Sequence, residues 1–200
     1  IIGEALELGY ESVMIDGSRL PLDENIACTR EIVTLAAGTV PVEAELGAVL
    51  GHESGPLPPY EELFASRRGF TDPAEAARFV RETGTDWLSV AVGNLHGAIS
   101  AAGKQQEKPR ARIDLEHLAR LKEAAGVPLV LHGGTGIPVE YVQAAIARGI
   151  AKINVATAIR QPYERNLAHG VAAAQQAVYD TMCDLIRNEL NIQGSGKVLS

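Results

Sequence analysis

Two histidines lie in glycine-containing segments that follow predicted strands. His96 stands in the sequence NLHG, and His132 stands in LHGGTG. A histidine in a loop of small residues has room around its ring for a metal ion or a substrate, although a single one is more often a hydrogen-bonded structural residue. Two at equivalent places in successive strand–helix units predict rings that face one site. Two neutral imidazoles are a good part of a zinc site.

The glycine run after His132 could bind an anion. Gly133 and Gly134 let the backbone approach closely, Thr135 adds a hydroxyl, and a helix N-terminus follows. The alternative is a tight turn that binds nothing. The next strand ends in KINVAT, which places Asn154 and Thr157 beside this loop. Phosphate binding by the last two units of a barrel is a recurring arrangement, so the two segments together predict a phosphorylated substrate.

Carboxylates follow the same strand ends. Glu43 and Glu45 share one face of a strand because side chains alternate, and buried acids are costly unless they are paired or bind a metal. Asp16 ends an earlier β-rich run. Glu53 lies in the Gly- and Pro-rich loop 51–71, which is either a lid or disordered. Lys152 could form a Schiff base, but the two histidines argue against that chemistry. His117 lies inside a predicted helix, and we expect it on the surface.

The elements that position these residues alternate between strand and helix. Strands are predicted at 12–16, 40–46, 87–92, 127–131 and 150–155. Helices are predicted at 23–37, 73–83, 115–125 and 138–148, followed by a helical region over 161–190 with a break near Gly170. Asp72 and Asp114 are the expected N-caps, and Gly84 and Gly126 the expected stops. The pattern predicts an α/β protein with a parallel sheet in one domain over residues 1–200.

The positions of the polar residues distinguish two parallel architectures. A doubly wound sheet concentrates such residues at one switch point, whereas a TIM (β/α)8 barrel distributes them over the C-terminal ends of its strands. The second distribution is observed for Asp16, Glu45, His96, His132 and Asn154. The barrel is therefore predicted. Since only five units are found, we expect about three N-terminal units to be absent from this sequence.

Composition excludes several partners. The net charge of −7 and the pI near 5.3 argue against nucleic acid, and no apolar run is long enough to cross a membrane. Cys28 and Cys183 lack companions at metal-ligand spacing and are expected to be ordinary buried thiols in a reducing compartment. We expect a cytoplasmic protein.

Five segments in order resemble the serial motifs of class II fructose- and tagatose-bisphosphate aldolases. They are SVMIDGS (12–18), VEAELG (42–47), VGNLHG (92–97), LVLHGGTG (129–136) and KINVAT (152–157). The resemblance implies a metal-dependent barrel enzyme that forms a homo-oligomer of two or four chains. It implies reversible cleavage of a ketose 1,6-bisphosphate to dihydroxyacetone phosphate and glyceraldehyde 3-phosphate.

The resemblance also implies site residues. His96 and His132 match two of three zinc ligands, and Asp16 and Glu45 match acids of a second or alternative cation position, divalent or monovalent. Glu53 matches a loop acid that moves a proton. The groups that match a dihydroxyacetone phosphate site are Gly97, Gly133, Gly134, Thr135, Asn154, Val155, Ala156 and Thr157.

Departures from the family pattern leave alternatives open. The third zinc histidine and the catalytic Asp belong to a His-Leu-Asp-His-type motif that is expected upstream of Ile1. Ala156 stands where some fructose-specific members carry an acid, which favours the tagatose-type or generic branch. The alternatives are a non-catalytic aldolase-like subunit and another phosphosugar-binding barrel.

Overall fold

The computed structural model of the chain describes residues 1–51, 58–96 and 110–198. Within these residues, five parallel strands form one sheet in which the spatial order follows the chain order. The strands are β1 (Val13–Ile15), β2 (Val42–Leu46), β3 (Trp87–Val90), β4 (Leu129–Leu131) and β5 (Ile150–Ile153). The order never reverses, so there is no switch point among them. This is how successive units follow one another around a barrel.

Helices connect the strands and cover one face of the sheet. They are α1 (Ile2–Glu7), α2 (Leu22–Ala36), α3 (Tyr60–Ser66), α4 (Pro73–Thr83), α5 (Leu115–Ala125), α6 (Val139–Ile146), α7 (Thr157–Asn166) and α8 (Val171–Asp184). The predicted break at Gly170 is confirmed, with a 3-10 turn before it. Within the described ranges, no helix combines the length and apolar character that a membrane span requires.

The described part of loop 51–71, residues 58–71, contains a helix that the sequence did not indicate. Its composition predicted a lid or disorder, yet α3 forms within it. Pro59 precedes the helix with extended backbone, and Glu61 and Glu62 lie in its first turn, where negative charge is favourable. The alternative of disorder is therefore wrong for residues 58–71, whereas the alternative of a lid stays a prediction.

The predicted caps of α4 and α5 are confirmed. The Asp72 carboxylate accepts hydrogen bonds from the backbone N–H groups of Ala74 and Glu75. Asp114 accepts one from His117. Each helix ends at a glycine with left-handed backbone, Gly84 at φ 71° and Gly126 at φ 70°. These local signals set the bounds of both helices.

The two faces of the sheet have different chemistry. One face packs against the helices and forms the apolar core with Phe79, Leu118 and Leu121, all fully buried. The strand residues on this face include Ala44, Leu46, Leu88, Val90, Leu129 and Leu131. The alternating residues, among them Glu43 and Glu45, lie on the opposite face, which corresponds to the interior of a barrel.

Strand β5 contains an irregularity that changes which side chains share that interior face. Leu129 pairs with Ile150, but the next residue, Val130, pairs with Lys152. Ala151 is therefore an extra residue on β5, in the manner of a β-bulge. As a consequence Ile150 and Ile153 both pack with the apolar core, although they are three residues apart.

Thr71 joins the C-terminal ends of two strands. Its hydroxyl donates to the carbonyl of Leu46 at 2.5 Å and accepts from the N–H of Ala91 at 2.9 Å. Its own carbonyl bonds the Nε2 of His117 at 2.8 Å. The expectation that His117 lies on the surface is wrong, because the first turn of α5 faces the body of the protein and buries this ring.

Replacing Thr71 with Val should lower stability, because it leaves a buried N–H and a buried carbonyl without their partner. At about 1–3 kcal/mol for each unpaired group, we expect a loss of about 2–5 kcal/mol in the free energy of unfolding, measured by urea denaturation. The matched control is Thr34→Val on the exposed side of α2, whose hydroxyl bonds only the Arg30 carbonyl. Equal effects of the two substitutions would contradict the role of Thr71.

Candidate active site

The predicted site residues lie at the C-terminal edge of the sheet. Glu45 is near the end of β2, and His96 lies in the loop after β3. His132 and Asn154 directly follow β4 and β5, and Asp16 directly follows β1. Because the carboxyl ends of parallel strands meet at one edge, five separate segments contribute to the same region.

Three of these side chains converge. Potential ligand atoms of Glu45, His96 and His132 lie within 4.8 Å of one another. The two imidazole rings have their centroids 5.9 Å apart and are tilted by 56°. Two imidazole nitrogens and one carboxylate oxygen are donors that suit zinc, so this set fits a divalent cation by its chemistry.

His132 bridges two buried carboxylates. Its Nε2 bonds Glu43 Oε1 at 2.8 Å, and its Nδ1 lies 3.0 Å from Glu45 Oε2. Burial lowers the pKa of His132, but the hydrogen bonds to Glu43 and Glu45 outweigh it and raise the pKa to about 9. In the metal-free protein the ring is therefore an imidazolium at neutral pH, and both of its N–H groups donate.

Glu43 and Lys152 belong to this cluster. The sequence led us to expect that Glu43 would be paired or bind a metal, whereas Lys152 was considered only as a Schiff-base lysine. The Lys152 ammonium donates to Glu43 Oε2 and lies 5.8 Å from the centre of the Trp87 ring. Burial raises the pKa of Glu43, but the hydrogen bonds from His132 and Lys152 outweigh it and hold that pKa below its usual value. The two-residue spacing of Glu43 and Glu45 is the sequence signal that placed both carboxylates on this face.

Backbone contacts between neighbouring loops hold the histidines in place. The N–H of His96 donates to the carbonyl of Leu50 at 2.7 Å, which ties the loop after β3 to the loop after β2. The side-chain amide of Asn94 donates to the His132 carbonyl at 3.0 Å, which ties the loop after β3 to the end of β4. A side chain at Gly133 would meet the Leu95 carbonyl at 2.0 Å, so glycine is required for these loops to approach. Asn94 is a positioning residue that its motif contained but that sequence reasoning did not single out.

The predicted anion loop lies beside the end of β5. The N–H of Gly134 donates to the Asn154 carbonyl at 3.0 Å, and the Thr135 hydroxyl accepts from the N–H of Ala158 at 3.1 Å. Segments 133–135 and 154–157 are thus adjacent, at the N-terminus of α7. The Gly134 amide is already used within the protein, so an anion would meet the remaining polar groups and the positive end of the helix dipole.

The other predicted residues have different outcomes. Asp16 is exposed, and its carboxylate accepts from the Ser18 N–H at 3.0 Å. It is not a member of the cluster of ligand atoms formed by the two histidines and Glu45. Glu53 and Gly97 lie outside the described residues.

Comparison with known proteins identifies relatives that match most of this chain. The family model for class-II fructose-bisphosphate aldolase matches residues 1–195. A fructose-bisphosphate aldolase of Streptococcus pneumoniae serotype 4 is 42% identical over 156 residues, which are 77% of this chain and 48% of the relative. The chain therefore spans about half the length of the curated relatives it matches.

Solved structures of aldolases have a similar fold. The YdjI aldolase from Escherichia coli K12 superposes with a TM-score of 0.74 at 32% identity, covering 93% of this chain and 63% of that one. A fructose-bisphosphate aldolase from Campylobacter jejuni gives 0.64 at 17% identity, over 92% and 61% of the two chains, which supports the fold alone. The predicted fold class, α/β of the TIM-barrel type, is confirmed. The chain belongs to the class-II fructose-bisphosphate aldolase family.

Proposed function

We propose that the protein is a zinc-dependent ketose-1,6-bisphosphate aldolase. It cleaves fructose or tagatose 1,6-bisphosphate reversibly to dihydroxyacetone phosphate and glyceraldehyde 3-phosphate. The observation that carries this proposal is the convergence of Glu45, His96 and His132 within 4.8 Å, beside a glycine loop at a helix N-terminus. Membership in the aldolase family supports the same reaction.

The cation is proposed to bind to His96 and His132 together with Glu45. Cleavage of the C3–C4 bond leaves negative charge on the substrate oxygens, and zinc held there supplies a Lewis acid that stabilises it. No Schiff base is required, and the Lys152 ammonium is engaged by Glu43. Asp16 is proposed for a second cation, divalent or monovalent, because it lies at the same edge of the sheet.

Residues of this chain are proposed to bind and orient the substrate phosphate. The segments 133–135 and 154–157, with Gly97, supply backbone groups, hydroxyls and the Asn154 side chain at the N-terminus of α7. They contain no Lys or Arg. In a protein of net charge −7, such a local site binds an anion without an extended basic surface. Glu53 is proposed to move a proton at the substrate carbon.

Single-domain organisation over residues 1–200, assembly into dimers or tetramers and a cytoplasmic location are further parts of this proposal. The succession of βα units in the described residues supports the single domain. Cys28 and Cys183 are free thiols, which agrees with a reducing compartment, although both are half-buried and not buried as expected.

Chelation should abolish cleavage by the intact protein, and added zinc should restore it, because the metal carries the developing charge. Initial rates with fructose and tagatose bisphosphates, measured side by side by coupled detection of the triose phosphates, test this and identify the substrate. Full activity in chelator would exclude the mechanism. Bound zinc without cleavage of either sugar would favour the non-catalytic subunit instead.

His132→Ala should lose bound metal, since it removes one imidazole ligand from the cluster. The measurement is zinc per protein chain by elemental analysis after dialysis. His169→Ala is the matched control, because His169 is exposed in the 3-10 turn after α7. Unchanged zinc content in His132→Ala would remove His132 from the ligand set.

Zinc binding should release a proton from His132 and strengthen as pH rises. A metal needs the neutral imidazole, whereas the pKa of about 9 keeps the metal-free ring protonated below that pH. Loss of one proton corresponds to about tenfold tighter binding per pH unit, levelling off near pH 9. Calorimetry in buffers of different ionisation enthalpy measures the released protons. Affinity that is flat between pH 6.5 and about 8.5 would contradict this linkage.

A further inference from the structure

Glu43 is a buried carboxylate that lies between a candidate metal ligand and a lysine. It is 1% exposed, and its two oxygens bond different partners, Oε1 with His132 and Oε2 with Lys152. A carboxylate removed from water is unfavourable unless both oxygens are satisfied. The arrangement therefore forms one chain of contacts from Lys152 through Glu43 to the imidazole.

The contacts of His132 fix the direction of its ring. Nε2 faces Glu43, so Nδ1 is the nitrogen that faces Glu45, at 3.0 Å. Glu45 and His96 are the other two members of the ligand cluster. A carboxylate that holds the second nitrogen of a ligating histidine sets both its tautomer and its orientation. Glu43 occupies that place by holding Nε2, which leaves Nδ1 facing Glu45.

Lys152 is an unexpected residue beside a cation site, because its ammonium repels a bound cation. Its side chain is 43% exposed, so it could extend into solvent, yet it bonds the 2%-exposed carboxylate of Glu43. The irregularity at Ala151 turns Lys152 to the interior face, opposite Val130. Without it, the simple register would place Lys152 on the face of Leu131, towards the apolar core.

We propose that Glu43 and Lys152 are a positioning pair that holds the Nε2 edge of His132 so that Nδ1 is presented to the cation. Lys152 prevents Glu43 from turning away, and Glu43 fixes the ring. This inference rests on the proposed function, since it takes the cluster of Glu45, His96 and His132 as the metal site.

The substitution Lys152→Met in the intact protein distinguishes two effects of Lys152 on zinc binding, repulsion by its charge and positioning of His132. If Lys152 acts only through its charge, its removal strengthens zinc binding. If it positions His132 through Glu43, zinc binding weakens by about 10- to 100-fold, as expected for a lost outer contact of a metal ligand. The dissociation constant is measured by competition with a chromophoric chelator. The visible spectrum of the cobalt(II) form should also change, because it reports ligand geometry.

A double variant keeps the test decisive. Glu43→Leu with Lys152→Met removes one charge of each sign, so an effect of charge alone predicts wild-type zinc affinity, whereas positioning predicts the same 10- to 100-fold loss, roughly. Arg148→Met, at the exposed end of α6, is the control for loss of a distant cation and should leave zinc affinity unchanged. Circular dichroism verifies folding of each variant.

The outcomes distinguish the two proposals. A wild-type protein that binds no zinc and cleaves neither bisphosphate contradicts the proposed function. A wild-type protein that binds zinc, together with a Lys152→Met variant that binds it equally or more tightly with an unchanged cobalt spectrum, overturns the positioning pair. Weaker binding with a changed cobalt spectrum in that variant supports it.

Discussion

The hydrogen bonds of His132 to Glu43 and Glu45 are the interactions on which the rest of the site depends. Two carboxylates with 1% and 3% exposure lie on one strand, and burying such groups is unfavourable unless each is paired. The His132 imidazolium pairs with both carboxylates, and the Lys152 ammonium pairs with the second oxygen of Glu43. Two carboxylates, an imidazolium and an ammonium are formally neutral, which allows the cluster to be buried in the metal-free protein.

The same cluster is prepared for a cation. A divalent ion bound as we propose would replace the His132 proton and would meet an imidazole nitrogen and a carboxylate, with His96 beside them. The energetic cost of collecting these groups is met during folding by the parallel sheet, whose strands end at one edge. The ends of β2 and β3 are joined there by Thr71, and the loops after β3 and β4 are joined by Asn94. Rigid support of this kind keeps ligand geometry within narrow limits.

Local signals in the sequence determined much of the fold. Asp72, Asp114, Gly84 and Gly126 delimit two helices because capping is a property of adjacent residues. The histidines and the glycine loop were identifiable for a similar reason, since each lies in the segment that follows an apolar, strand-forming run. The sequence also placed Glu43 and Glu45 on one face, because alternation along a strand needs no tertiary information.

Tertiary structure decided what depends on contacts between distant segments. Nothing local marks Glu43 and Lys152 as partners, since they are 109 residues apart. Strict alternation along β5 would place Lys152 on the same face of the sheet as Ile150, whereas the irregularity at Ala151 places the two on opposite faces. His117 became buried because Thr71, 46 residues earlier, offers a carbonyl to its ring. Glu45 joined the two histidines, and Asp16 did not, through the spatial arrangement of strand ends. The residue types and their periodicity therefore determined the elements and the chemistry available, whereas strand register and loop packing determined which side chains meet.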